Sequence, residues 1–128
     1  MSLDATWARA APLLERALEH AHGTHQLADV AKAITAGQLQ LWATGRSAAV
    51  SEILNFPRKR ALNVFLSAGE IEDIRAALPG MMAYGQGHGC DRIMFAGRLD
   101  PNDRRRSAWE GFFPGWTPTH LSLCKELS

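Results

Sequence analysis

The residues best placed to do chemistry lie where an alternating stretch gives way to a helical one, between Arg60 and Arg75. Leu62, Val64 and Leu66 alternate with Ala61, Asn63 and Phe65, which is the period of a strand. From Gly69 onward the apolar residues fall at Ile71, Ile74 and Leu78, the spacing of one helical face. A strand that feeds a helix is a common phosphate site, because free N–H groups and the positive end of the helix dipole point at the ligand. Here Glu70, Glu72 and Asp73 fill the first turn. Their carboxylates already complement the dipole and would repel a diphosphate. The junction has the position of a phosphate site and the wrong charge for one.

Other constellations are weaker or of another kind. Gly85, Gly87 and Gly89 have nucleotide-loop spacing, but they follow a helix and precede a strand, the reverse of a dinucleotide fingerprint. Helix termination accounts for them. His20, His22 and His25 lie close in sequence, yet His20 and His22 diverge on a helix and no cysteine or carboxylate completes a zinc spacing. No metal is expected. Two basic clusters stand out, Arg58-Lys59-Arg60 in a turn and Arg104-Arg105-Arg106 at a helix start. If they converge they suit phosphates or an acidic protein surface; apart, each is a solvated face. Trp109, Phe112, Phe113 and Trp116 crowd between glycines and prolines. Four aromatics exceed what a core this small needs at one point, so a docking surface is expected there, for a protein partner or a ring of copies.

The elements that must position these residues can be read from periodicity. The chain has 128 residues, 46% of them hydrophobic and 21% charged, which suits one domain over 1–128 with a genuine core. A net charge of +1 gives no global drive toward nucleic acid or acidic membranes. The 2 cysteines, Cys90 and Cys124, have no CxxC spacing and read as reduced thiols. No signal-peptide pattern or membrane-spanning run is visible, so the expected location is cytoplasmic.

A helix is expected over about Leu3 to Ala21, with Leu13, Leu14, Ala17 and Leu18 buried and Pro12 in a first turn or dividing two short pieces. Thr24 is the expected cap of a second helix that ends at Gly37. Strands follow at 38–42, 48–56 and from Arg60, joined by turns at Gly45-Arg46 and Pro57-Arg58-Lys59. The helix from Glu70 should kink or restart at Pro79-Gly80. A strand at 92–96, a short helix at 103–110 and a last strand at 119–127 complete an α/β (α+β) order, α-α-β-β-β-α-β-α-β. Three antiparallel strands, a crossover helix and a parallel neighbour make a mixed, twisted sheet flanked by helices.

That order resembles the GCN5-related N-acetyltransferase (GNAT) fold without its usual first strand. In wording the chain is similar to short GNAT-like proteins encoded by tailed bacteriophages. The phrases that carry this are Gly23-Thr24-His25, Gln38-Leu39-Gln40-Leu41-Trp42, Ser51-Glu52-Ile53, Phe56-Pro57-Arg58-Lys59-Arg60, Gly89-Cys90-Asp91, Ala96-Gly97-Arg98 and Lys125-Glu126-Leu127. The resemblance implies acetyl-CoA at the end of the third strand, its pyrophosphate held by a loop of pattern (Gln/Arg)-x-x-Gly-x-(Gly/Ala). The matching segment, Ser67 to Asp73, offers one glycine and three acids, so the motif is absent. The leading expectation is therefore a virion-associated structural or assembly protein, in the particle or host cytoplasm, without a cofactor and with other phage structural proteins as partners.

Two alternatives remain open. One is an acyltransferase holding acetyl-CoA through Ser67, Ala68, Gly69, Arg98 and Arg104. For it, Glu52, Tyr84, His88 and Cys124 are available as acid or base by type alone. The other is a nucleic-acid-binding module that uses the two basic clusters.

Overall fold

The computed structural model describes residues 3–21, 23–96, 114–119 and 124–127. The chain divides into two compact units, Met1–Ala96 and Gly97–Ser128. Among the described residues every helix and strand belongs to the first: α1 (Leu3–Leu18), α2 (Leu27–Thr35), β1 (Leu39–Thr44), β2 (Ser47–Asn55), β3 (Arg60–Gly69), α3 (Ile71–Gly87) and β4 (Arg92–Phe95). The expected helix at 103–110 lies outside the described residues, as do parts of the expected last strand. Thr119 and residues 124–127, which are described, are not in a strand.

The sheet order is β1-β2-β3-β4. β1, β2 and β3 form an antiparallel meander, and β4 joins β3 in parallel after α3 has crossed over. Because side chains alternate across a strand, the sheet separates two cores. On one face α1 and α2 bury Ala10, Leu14, Ala17 and Val30 against Ala48, Val50, Leu66 and Ala68. On the other, α3 lays Met81 against Ala49, Leu62 and Val64, with Ala77, Leu78 and Tyr84 partly buried beside them. Each fully buried leucine contributes about 1.5–3 kcal/mol by leaving water.

One break in that alternation matters. Val50 pairs with Leu66, but its neighbour Ser51 pairs with Val64, so Phe65 is an extra residue on β3. A bulge of this kind shifts the pleat by one. Leu62 and Val64 consequently face α3, whereas Leu66 and Ala68 face α1 and α2. The simple expectation that Leu62, Val64 and Leu66 share one face is corrected by this single inserted residue.

Three further expectations change. Pro12 neither opens nor divides α1, which runs through it. Its ring removes the bond to the carbonyl of Ala8, and both residues are exposed, so water can take the freed group. Pro79 also lies inside α3, on an exposed face, so the helix does not start afresh there. The cap of α2 is Gln26, not Thr24. The Gln26 N–H donates to the Asp29 carboxylate at 2.8 Å, while the Thr24 hydroxyl donates back to the Ala21 carbonyl at 3.0 Å and closes the end of α1. Gly37, at φ +77°, ends α2 as expected, and the Gln38 N–H returns to the Ala33 carbonyl at 2.9 Å.

Candidate functional site

The junction between β3 and α3 is short. Only Glu70 separates the last strand residue, Gly69, from the first helical residue, Ile71. Ser67, Ala68 and Gly69 stand inside the strand, paired with Ala49, Ala48 and Ser47, and are not part of a loop. Ser67 and Ala68 are buried. A backbone committed to an antiparallel ladder directs alternate N–H groups into the neighbouring strand, not toward an incoming phosphate.

The turn between β1 and β2 packs directly against this junction. Gly69 adopts φ +107°, and a Cβ there would overlap the Arg46 carbonyl oxygen and stand 2.6 Å from the Ser47 Cα. Only glycine permits that approach. Ser47 Oγ donates to the Glu70 carbonyl at 2.6 Å, and Thr44 Oγ1 to the Asp73 carbonyl at 3.3 Å. Asp73 Oδ2 accepts the Arg46 N–H at 3.0 Å and lies 3.7 Å from Arg46 Nε. The Arg46 side chain is 75% exposed, so this ion pair adds little; the bond to the backbone N–H is the structural link.

The three acids thus have separate places. Asp73 holds the hairpin turn, Glu72 pairs with Arg75 at 3.1 Å on the surface, and Glu70 is the exposed residue that opens the helix. The residues present do not suit a diphosphate: Ser67 to Gly69 are committed to the ladder with β2, and the side chains that open α3, Glu70, Glu72 and Asp73, are negative.

The second constellation lies on the α3 face of the sheet. Trp42 Nε1 donates to Ser51 Oγ at 2.9 Å, and Ser51 Oγ donates to Gln40 Oε1 at 2.8 Å. Tyr84 meets Trp42 edge-on at 5.6 Å between ring centroids and stacks on His88 at 4.0 Å. His88 Nδ1 is 2.9 Å from the Tyr84 carbonyl. Ser51 is fully buried, and its hydroxyl faces an indole and an amide. Neither is a base, so this serine is not an activated nucleophile. Sequence reasoning missed the chain of bonds, whose only signal is that Gln40, Trp42 and Ser51 become neighbours once the hairpin register is known.

The acid and base candidates do not meet. Glu52 accepts from Asn63 Nδ2 at 3.0 Å and shares the face of Val50, toward α1 and α2. Tyr84 lies on α3 and His88 caps the C-terminal end of that helix, across the sheet. Cys90 is half-buried in the α3-side core, a packing residue, and Cys124 belongs to the other unit. His25 touches the bulged Phe65, with ring centroids 5.5 Å apart, and its Nδ1 is 2.8 Å from Thr24 Oγ1. Among the described residues no group of three His, Cys, Asp or Glu could hold a metal ion.

Of the basic residues, Arg58 and Lys59 are exposed in the β2–β3 turn, which the Phe56 N–H closes onto the Lys59 carbonyl at 2.8 Å. Arg60 opens β3 and its Nη1 donates to Asn55 Oδ1 at 3.3 Å. Arg98, Arg104, Arg105, Arg106, Trp109, Phe112 and Phe113 lie outside the described residues. Trp116 is described and half-buried in the second unit.

No protein-family profile and no curated protein matches the chain. Solved structures do. The wild-type protein TTHA1254 from Thermus thermophilus superposes with a TM-score of 0.59 at 15% identity, covering 99% of this chain and 95% of that one. A probable acetyltransferase gives 0.60 at 10% identity over 98% and 97%. The ribosomal-protein-alanine N-acetyltransferase from Brucella melitensis biovar Abortus 2308 gives 0.52 at 13% over 93% and 94%. The fold is GNAT-like. At these identities the likeness is one of architecture, and activity has to be argued from the site. Among the described residues no helix is long and apolar enough to cross a membrane.

Proposed function

We propose that this GNAT-like chain is a structural or assembly protein of a bacteriophage particle, and that it has given up the acetyl-CoA grip of its fold. The observation that carries the second half is the β3–α3 junction. Only Glu70 joins the strand to the helix, leaving no glycine loop, and the β1–β2 turn is bonded to the start of α3 through Ser47 and Asp73. The phage assignment is supported by the sequence phrases alone. Partner contacts fall to the aromatic stretch Trp109, Phe112, Phe113 and Trp116, to Arg58, Lys59 and Arg60, and to Arg104, Arg105 and Arg106.

The test has two arms. Acetyl-CoA titrated into the full chain in a calorimeter should give no saturable heat up to about 1 mM, the upper range of ordinary substrate constants. Saturable binding below that overturns the loss of the grip. Mass spectrometry of purified particles should find the chain at a fixed ratio to the capsid protein, and its absence overturns the virion role.

A further inference from the structure

β1 is an outer strand of the sheet, and among the described residues nothing along it guards its open edge. Natural edge strands carry lysine, proline, a bulge or an inward-pointing charge to discourage pairing with another chain. β1 reads Leu39, Gln40, Leu41, Trp42, Ala43, Thr44, without a charge or a proline, and its register with β2 is regular throughout. All six residues are half-buried, whereas the first five of β2 are fully buried. Side chains in that state have a neighbour on one side and lack one on the other.

The backbone gives the positions. Thr44 and Ser47 flank the two-residue turn Gly45-Arg46, so they form a hydrogen-bonded pair, and the pattern alternates from there. Thr44, Trp42 and Gln40 therefore bond to β2. Leu39, Leu41 and Ala43 direct their N–H and C=O groups outward, and among the described residues no strand receives them.

We infer that β1 pairs antiparallel with β1 of a second copy of this chain, about a dyad at Leu41. In that register Leu39 faces the partner's Ala43, Leu41 the partner's Leu41, and Gln40 the partner's Trp42. The three outward residues of each copy satisfy those of the other, with six hydrogen bonds in all. Leu39, Leu41 and Ala43 extend the apolar layer under α1 and α2 across the dyad. No charge opposes a like charge anywhere in the paired window. An uncharged edge has nothing to select an acidic or basic peptide, and its own sequence is complementary to itself. Such an isologous contact closes at two copies. The inference is independent of whether the chain binds a cofactor.

Light scattering from micromolar to millimolar protein should show a monomer giving way to a dimer. Over the same range, amide exchange followed by NMR should slow at Leu39, Leu41 and Ala43 and stay unchanged at Gln40, Trp42 and Thr44. Ala43→Pro removes one outward donor per copy and leaves the β1–β2 bonds in place, so dimerisation should weaken about thirtyfold. If that variant fails to fold, the exchange pattern alone decides. A monomer at every concentration overturns the inference. Protection of the three amides that ignores concentration also overturns it, since a segment of the same chain would then hold the edge. A dimer in which those amides still exchange fast overturns it as well, because the contact lies elsewhere.

Discussion

Replacing Gly69 with alanine tests whether the β3–α3 junction is closed by packing or kept open for a ligand. At φ +107° a residue with a side chain is held in sparsely populated backbone space, at a cost of about 1–3 kcal/mol. Its Cβ would also overlap the Arg46 carbonyl and come within 2.6 Å of Ser47 Cα. Both are backbone atoms, so relief requires moving the whole turn, and overpacking of this kind costs about 1–3 kcal/mol more. Moving the turn stretches the bonds from Ser47 to Glu70 and from Arg46 to Asp73, each with a net worth of about 1 kcal/mol. The expected loss is about 4 kcal/mol, a large share of the roughly 5–15 kcal/mol that holds a domain together. Urea unfolding of the ligand-free chain should show the midpoint falling by about 2–3 M at an unchanged slope. A loss under about 1 kcal/mol would refute the reasoning. It would mean that the turn does not press on Gly69, and a glycine retained for a phosphate costs nothing when no phosphate is present.

Two further substitutions probe the α3 face. Gly85→Ala should be neutral or stabilise by up to about 1 kcal/mol in the same urea experiment, since the new Cβ meets Leu62 at 3.5 Å and Cys90 at 3.6 Å, ordinary contacts, inside a helix that favours alanine. Ser51→Ala should cost about 1–3 kcal/mol, because it strips the Trp42 indole N–H of its acceptor in a buried place. A shift in the thermal midpoint smaller than that of an exposed serine change would show that water serves the indole instead.

Element order through β4 was legible because each element has a clean period, and the switch between periods marks its boundary. The register within β3 was not. Adding Phe65 leaves Leu62, Val64 and Leu66 looking like one alternating series, and only the pairing partners Ser51 and Val50 show the slip. The cap of α2 was misplaced for a related reason. Thr24 has the better capping side chain, but it is spent on the end of α1, and Gln26 caps through an acid three residues on. Pro12 was misread as a break because the sequence does not show that the Ala8 carbonyl it frees is exposed to water, and exposure is a tertiary property. At the junction, the sequence shows three acids opening a helix. It does not show that Asp73 reaches the turn at Arg46, since those residues are 27 apart and meet only through the fold.

The turn that closes the junction also bears on the open edge. Thr44 and Ser47, the two residues bracketing Gly45-Arg46, are each tied to the start of α3, through Asp73 and Glu70. β1 is therefore anchored at its end by a helix on the α3 face and packed by α2 on the other. An anchored strand loses less freedom on pairing than a frayed one, so more of each new hydrogen bond appears as affinity. Bonding the hairpin turn to the start of α3 and holding an uncharged edge in place are thus consequences of one arrangement. The hydrogen bonds that tie the turn to the start of α3 are the same ones that hold β1 in position for the second strand inferred above.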